Sequence, residues 1–411
     1  MATLRVHGGG SLLNWHATTP RVYITAESDD FDEYTLEAWR DEGFDVMYVP
    51  FGEGGKQYVK TLHSLGQNLG VGGAYSIVEG LIFCIHAAFG DAASVCLETF
   101  IRQDLKLRSL VAYYPSSIPD PHTHYSPSTR IMVHLAGTQI GVNKTSEVLG
   151  IQGKRKTVRR RITQGIGTGG TQKLSYPCYT YQGVEPGFAE HDLDEYDKVA
   201  DAVAWTRSLD TIRKGFSAEL DIERPWEDNE EHKYHTLDTA KILATMTDVP
   251  KPFVTYTPTM TGGLGKDDLA RFYAEFFLPA LSPRASPPTN FRTRLLSRTI
   301  GVDRIVDELL VCFKHTQPMP WILPGIPPSN CPVEIVMVSV VAVRAGKIFS
   351  EHVYWDQAAV LVQVGLIDVE ESVPQEWRDR GVKELPAVGE EGARKILDEE
   401  KEPFNELIGD W

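Results

Sequence analysis

The order in which strand-like and helix-like runs follow one another constrains this chain more than any other feature. Arg21 to Thr25 is rich in β-formers, Glu33 to Glu42 has helical periodicity, Asp45 to Pro50 is β-rich again, and Gly55 to Leu69 reads as a helix. Ile77 to Ile85, Leu110 to Tyr114 and Arg130 to Ala136 follow as strands, with Asp91 to Arg102 as an intervening helix and Glu195 to Lys214 as a closing amphipathic one. Strands separated by helices pair in parallel through crossovers, so the first half is predicted to be a doubly wound α/β domain.

After the closing helix the order changes. Ser217 to Asp238 is dense in charge, holds Arg224-Pro225-Trp226, and reads as the connection between two domains. Helical Thr239 to Thr245 and Lys266 to Phe277, separated by a loop around Thr261-Gly262-Gly263-Leu264-Gly265, precede three strand-like runs, Arg304 to Lys314, Val333 to Val343 and Lys347 to Trp355. Helices followed by successive strands predict an α+β domain with a curved antiparallel sheet. Length agrees, because 411 residues with 42% hydrophobic content exceed the roughly 250–300 at which a single core stops growing. The domains are drawn as 1–218 and 219–411.

Composition removes several function classes. Five cysteines (Cys84, Cys96, Cys178, Cys312, Cys331), none in a CxxC pair, suit reduced thiols better than disulfides or zinc. A net charge of −15 disfavours nucleic acid as a partner, and the basic run from Lys154-Arg155-Lys156 to Arg159-Arg160-Arg161 reads as a solvated loop or helix. The apolar stretches Gly80 to Ile85 and Val333 to Val343 fall short of the roughly 20 residues of a membrane span, and Met1 to Val6 lacks a secretory pattern, so a cytoplasmic protein without a membrane partner is expected. The glycine run at Gly262 completes no phosphate-loop pattern, and His122-Thr123-His124 offers two ligands without a third. No cofactor and no metal are expected.

The first half resembles the dienelactone hydrolases, a branch of the α/β-hydrolases. The resemblance rests on the junction Ile82 to Ile85 then His86-Ala87-Ala88-Phe89-Gly90, on Leu110-Val111-Ala112-Tyr113-Tyr114-Pro115, and on Tyr181-Gln182-Gly183-Val184-Glu185-Pro186-Gly187-Phe188. It implies a nucleophile at the strand-to-helix elbow and a histidine directly before Gly-Phe. Here those positions hold Ala88 and Pro186, and Gly137 to Ile140, where the acid is implied, offers no carboxylate. A hydrolytic reading would need Cys84 with His86 or His191 as base.

From about Arg224 onward the chain resembles the SnoaL-like, nuclear-transport-factor-like superfamily. The features are Trp226-Glu227 near the start of the first helix, Thr261-Gly262-Gly263 before Phe272-Tyr273, Val306-Asp307-Glu308 on a strand, Trp321-Ile322-Leu323-Pro324-Gly325, and Gly346-Lys347-Ile348 leading to Glu351-His352-Val353-Tyr354-Trp355-Asp356-Gln357. The resemblance implies a bent sheet wrapped around helices into a cone with a pocket, a homodimer, and cofactor-independent cyclase or isomerase chemistry on an apolar polyketide or terpenoid, pericyclic closure of the Diels–Alder type included. An ester or lactone hydrolase with a non-standard constellation and a non-catalytic small-molecule-binding protein are the competing classes.

Alternation along the last strand puts Glu351, Val353 and Trp355 on one face and His352, Tyr354 and Asp356 on the other. Whichever face looks inward carries an ionisable group and an aromatic ring. The expected catalytic groups are therefore Glu351 and Asp356, with His315 as a partner, and the expected substrate contacts are Trp321, Tyr354, Trp355 and His352. The competing expectation is that Glu351 and Asp356 only make structural pairs with Lys347 or a helix end; His232 and His235 rank below these groups.

Overall fold

The computed structural model describes residues 19–53, 55–67, 69, 73–79, 92–102, 104–148, 151–161, 170–171, 175–181, 183–282 and 289–408. The Ala88 elbow, Cys84 and His86 lie outside them. Two compact units emerge, Met1–Leu220 and Asp221–Trp411.

Unit 1 is built on strands β1 (Arg21–Ala26), β2 (Asp45–Pro50), β3 (Tyr75–Glu79), β4 (Leu107–Tyr113), β5 (Ser117–Ile118), β6 (Arg130–Leu135), β7 (Gln139–Val148), β8 (Ile151–Arg161), β9 (Gly170–Thr171) and β10 (Cys178–Thr180), with helices α1 (Glu33–Asp41), α2 (Gly55–Ser64), α3 (Ala92–Thr99) and α4 (Lys198–Phe216). The main sheet runs β2-β1-β3-β4-β6-β10-β9, with parallel pairing from β2 to β10. Its core side chains, Tyr23, Ile77, Leu110, Ala112 and Val133 among them, come from near-continuous apolar strands, as a sheet covered on both faces requires. Capping is explicit: Asp32 accepts from the Tyr34 amide at the start of α1, and Asp197 from the amides of Val199 and Ala200 at the start of α4.

One segment departs from the sequence reading. The basic run forms strand β8, paired antiparallel with β7 in a separate sheet ordered β5-β7-β8, rather than a loop or helix. Val142 and Val158 face each other in that ladder, and Gly141 admits close approach: a Cβ there would lie 3.0 Å from the Ser116 carbonyl oxygen and from Thr157 Cγ2.

Unit 2 contains α5 (Glu223–Tyr234), α6 (Thr239–Ala244), β11 (Phe253–Tyr256), β12 (Thr261–Leu264), α7 (Lys266–Arg271), a π-helical turn over Phe272–Phe277, α8 (Leu278–Leu281), β13 (Arg292–Ile300), β14 (Arg304–Lys314), β15 (Pro332–Arg344), β16 (Lys347–Trp355), α9 (Gln357–Gln363), α10 (Gln375–Arg378) and α11 (Glu391–Leu397). The sheet runs β12-β11-β16-β15-β14-β13, antiparallel except for the β11–β16 pair. Two readings are corrected here. The charged stretch is not merely a connection, since it contains helix α5 with Trp226 near its start, as the resemblance implies, and buried; and the glycine segment is strand β12 rather than a loop. Gly262 is required there, because it has φ 129° and a Cβ would fall on the Val254 carbonyl.

Candidate functional site

Strand register defines the inner face of unit 2. Tyr256, Val353, Ser339, Asp307 and Arg298 lie opposite one another across five strands, and Val254, Glu351, Val341 and Ile305 form the next row. The outer members alternate with these, so β16 buries Glu351, Val353 and Trp355 while Tyr354 is exposed. A sheet otherwise built of valine and isoleucine thus turns a carboxylate, a serine and an ion pair toward its own helices.

Helix α5 meets that face with Trp226, Glu230 and Lys233, spaced i, i+4 and i+7 along one stripe. Seven helical residues advance about 10 Å, and Asp307 and Glu351 stand two strand spacings and two residues apart, about 12 Å, a difference the side chains span. One helix therefore reaches both acids. The Trp226 indole N–H donates to Asp307 Oδ2 at 2.7 Å, and the Lys233 ammonium donates to Glu351 Oε2. Lys233 and Glu351 are 0% and 1% exposed. Ser339 donates to Glu351 Oε1 at 3.4 Å, and Lys233 Nζ stands 4.8 Å from the centre of the Trp226 ring and 5.8 Å from that of Tyr273. Taking both charges out of water is costly, and the attraction offsets that cost only where geometry and added contacts are good.

Asp307 belongs to a second network. Arg298 forks onto both of its carboxylate oxygens at 2.7 Å and also reaches Glu223 and Glu230 at 2.9 Å and Glu227 at 3.4 Å. These contacts hold the guanidinium pKa above its ordinary value. Burial, with the nearby Asp307 charge, raises the Glu230 carboxyl to about 7. The network fixes α5 to the sheet and so aims Lys233.

Beside the pair lies a cluster of packed aromatic side chains. Tyr256 packs on Phe272, Phe277, Trp321 and Trp355, with Tyr273 against Phe272 and Phe277. The π turn carries Phe272, Tyr273 and Phe277 and buries all three; such turns recur at functional sites. The hydroxyls of Tyr256 and Tyr273 and the indole nitrogen of Trp321 are buried without a hydrogen-bond partner among the described residues. Burial first, then the Glu351 charge, raises both phenol pKa values well above 10, so these groups are neutral donors. An unpaired buried donor carries a desolvation penalty of about 1–3 kcal/mol, which nothing among the described residues offsets for Tyr256, Tyr273 and Trp321.

The sequence-derived residues divide accordingly. Glu351, Trp321 and Trp355 face this interior. Tyr354 and His352 do not: Tyr354 is 42% exposed, and His352 stands on the outer side against Phe253. Asp356 caps α9, accepting from the amides of Ala358 and Ala359, which is a structural duty at an exposed site. His315 is buried, but it sits ten residues along β14 from Ile305, the residue in the row of Glu351. Its Nδ1 accepts the Ser329 amide at 3.2 Å, which leaves the proton on Nε2, and burial lowers its pKa. Lys347 pairs with Asp248, not with Glu351. Lys233, Tyr256 and Tyr273 escaped the sequence reading; the Trp226-to-Lys233 spacing was the available signal for the first.

Unit 1 offers a look-alike of nucleophilic chemistry. His134 Nε2 lies 2.9 Å from Ser208 Oγ, and its Nδ1 lies 2.8 Å from the Tyr181 hydroxyl; Tyr113 also meets Ser208, at 2.7 Å. His134 and Ser208 are both 0% exposed, and burial lowers the imidazole pKa to about 3. This is a core histidine whose two ring nitrogens are both satisfied. His191 is held between Asp32, 3.1 Å from Nδ1, and Asp201, 3.7 Å from Nε2, so both ring nitrogens face carboxylates rather than a nucleophile.

No family model matches the chain, and no curated protein matches it. Among solved structures, TsrD from Streptomyces laurentii is similar over 36% of this chain and 100% of its own, at 14% identity and a TM-score of 0.27. A protein assigned as a SnoaL-like polyketide cyclase from Jannaschia sp. CCS1 is similar over 36% of this chain and 98% of its own, at 17% identity and a TM-score of 0.28. An NTF2-like protein from Burkholderia pseudomallei K96243 covers 36% of this chain and 99% of its own, at 14% identity and a TM-score of 0.27. The neighbours are thus SnoaL-like and NTF2-like proteins over about a third of the chain, and scores of this size decide nothing about its chemistry.

Proposed function

We propose that unit 2 is a cofactor-independent acid/base catalyst, a cyclase or isomerase acting on an apolar, carbonyl-bearing polyketide or terpenoid. One observation carries this reading: the buried Lys233–Glu351 pair stands beside a cluster of aromatic side chains in which three donors have no partner among the described residues. In the proposed reaction Glu351 accepts a proton from carbon next to the carbonyl. The hydroxyls of Tyr256 and Tyr273 donate to the enolate oxygen as charge develops on it. The Lys233 ammonium returns a proton to a different carbon, and transfer from Glu351 to Lys233 restores both groups. In an isomerisation one C–H bond breaks and another forms; in a cyclisation the enolate carbon attacks a second carbonyl of the same substrate, a C–C bond forms as that C=O π bond opens, and the Lys233 ammonium protonates the alkoxide.

The experiment is exchange of α-hydrogens in deuterium oxide, read by mass spectrometry over a panel of polycyclic ketones. Wild-type protein should catalyse exchange, and Glu351→Gln should lose about 10²–10⁴-fold. Because that variant leaves Lys233 without its counter-charge, Lys233→Met/Glu351→Gln serves as a neutral control for folding. Exchange undiminished in a folded Glu351→Gln protein would refute the assignment.

A further inference from the structure

The basic hairpin lies outside the function just described and presents two features together. The sheet β5-β7-β8 ends on β8, and among the described residues nothing pairs with its outer edge, so the edge offers unpaired main-chain N–H and C=O groups. Lys156, Arg159, Arg160 and Arg161 on that strand are all exposed, in a chain of net charge −15. Thr138 and Gln139 join Arg159, Arg160 and Arg161 around an open groove at the foot of the hairpin.

The hairpin is anchored. Asn143 donates to Glu98 of α3 at 3.0 Å and to Ser117 of β5 at 3.1 Å, and accepts from Thr157 of β8 at 2.6 Å. Register then fixes where the cations point. Lys156 and Arg160 share one face with Lys144 and Ile140, while Arg159 and Arg161 share the other with Gly141 and Gln139. Positive charge therefore flanks the open edge on both faces.

We propose that β8 is a docking edge for an extended acidic peptide segment of a partner protein, added as a further strand. Main-chain hydrogen bonds to the edge would supply affinity, and acidic side chains alternating up and down would meet cations on both faces. That two-sided arrangement selects the occupant. A flat anionic membrane could meet only one face. A nucleic acid has no strand to add to the edge, so it could use the cations but not the main-chain groups. A second copy of β8 would set arginine against arginine.

The test uses full-length protein and a fluorescent decapeptide repeating Glu-Glu-Val-Val, which sets glutamates on both faces of an extended strand, followed by polarisation at low salt. Saturable binding that weakens with salt is expected, with loss of about tenfold or more in Arg159→Glu/Arg161→Glu. Both positions are exposed, and circular dichroism checks the fold. A peptide of the same charge, N-methylated at two adjacent central residues so that a donor is blocked on each of its edges, should not bind. Wild-type backbone amides across Ile151–Arg161 should exchange more slowly when the unmodified peptide is present. Equal binding of the N-methylated peptide, tighter binding of an oligothymidylate or of phosphatidylserine vesicles, or no binding at all would each overturn the proposal.

Discussion

Each unit buries a polar cluster around an aromatic patch, and the two clusters differ in whether they are complete. In unit 1 both nitrogens of His134 are engaged, by Tyr181 and Ser208, and Arg207 completes the Tyr181 hydroxyl at 3.0 Å. In unit 2 the Lys233–Glu351 pair is engaged, while Tyr256, Tyr273 and Trp321 around it are not. A closed network stabilises and excludes ligands; an open one spends folding stability on donors that only a ligand satisfies. Proximity of a histidine to a serine is therefore the weaker functional signal here, and the unfilled donors are the stronger one.

The largest effect that would sharpen this contrast concerns the ion pair. Lys233→Met strands a buried carboxylate, and urea unfolding of unit 2 should show a loss of about 3–5 kcal/mol. Lys233→Met/Glu351→Gln should recover most of it, since neutral groups need no counter-charge. If the double variant is as unstable as the single one, packing of the lysine stem, not charge, holds α5 to the sheet.

The pH dependence separates the units next. Glu190 in unit 1 is 2% exposed, both of its oxygens lack partners among the described residues, and burial, aided by Asp192, Asp32 and Glu27, raises its pKa to about 9. Glu230 in unit 2 is raised to about 7. For both, the folded state holds its proton above the ordinary carboxyl range, so the stability they contribute is full below about 4.5 and is lost as pH rises. The loss should end near pH 7 for unit 2 and continue to about 9 for unit 1. Hydrogen exchange resolved by unit would display the two limits, and Glu230→Gln and Glu190→Gln should each flatten only its own limb. A common endpoint in both units would contradict the assignment. His134 adds an acid limb to unit 1: its lowered pKa means stability is lost as pH falls from about 6.5 toward 3.

A smaller effect tests the look-alike directly. Ser208→Ala leaves Tyr113 and His134 short of a partner and should cost about 1–3 kcal/mol. Hydrolysis of p-nitrophenyl esters should stay at background in wild type and variant alike, as Pro186 in the implied histidine position also requires. Ester turnover abolished by Ser208→Ala would break the comparison, because the closed cluster would then be a working one.

Much of unit 1 was legible because its strands are apolar on both faces and its helices intervene regularly, so composition alone marks β1, β2, β4 and β6. The inward strand of unit 2 was legible in part: alternation grouped Glu351 with Trp355 but could not say which face the helices cover. Helix α5 was not legible as a core element, because its buried stripe is Trp226, Asn229 and Lys233, two polar groups and one aromatic whose cost is met only by Asp307, Thr245 and Glu351 far along the chain. Strand β12 was hidden for the opposite reason, since its glycines are dictated by the backbone of β11, a contact no local pattern records.

The smallest effect decides between the two acids that alternation left open on β16. Asp356 accepts two amides at the start of α9, whose Ala359 and Val360 are buried, so its side chain acts on the helix and not on the interior. Asp356→Ala should cost about 1 kcal/mol, the usual worth of an N-cap, and Asp356→Asn much less, because asparagine caps nearly as well. Neither change should alter α-hydrogen exchange once the protein is folded, and Tyr354→Phe, on the exposed face, should alter neither stability nor exchange. The readouts must be paired: a rate that falls only in proportion to the unfolded fraction is a capping effect, while a folded Asp356→Asn protein with a lost rate would move the chemistry to the outer face and leave Glu351 as a structural partner of Lys233.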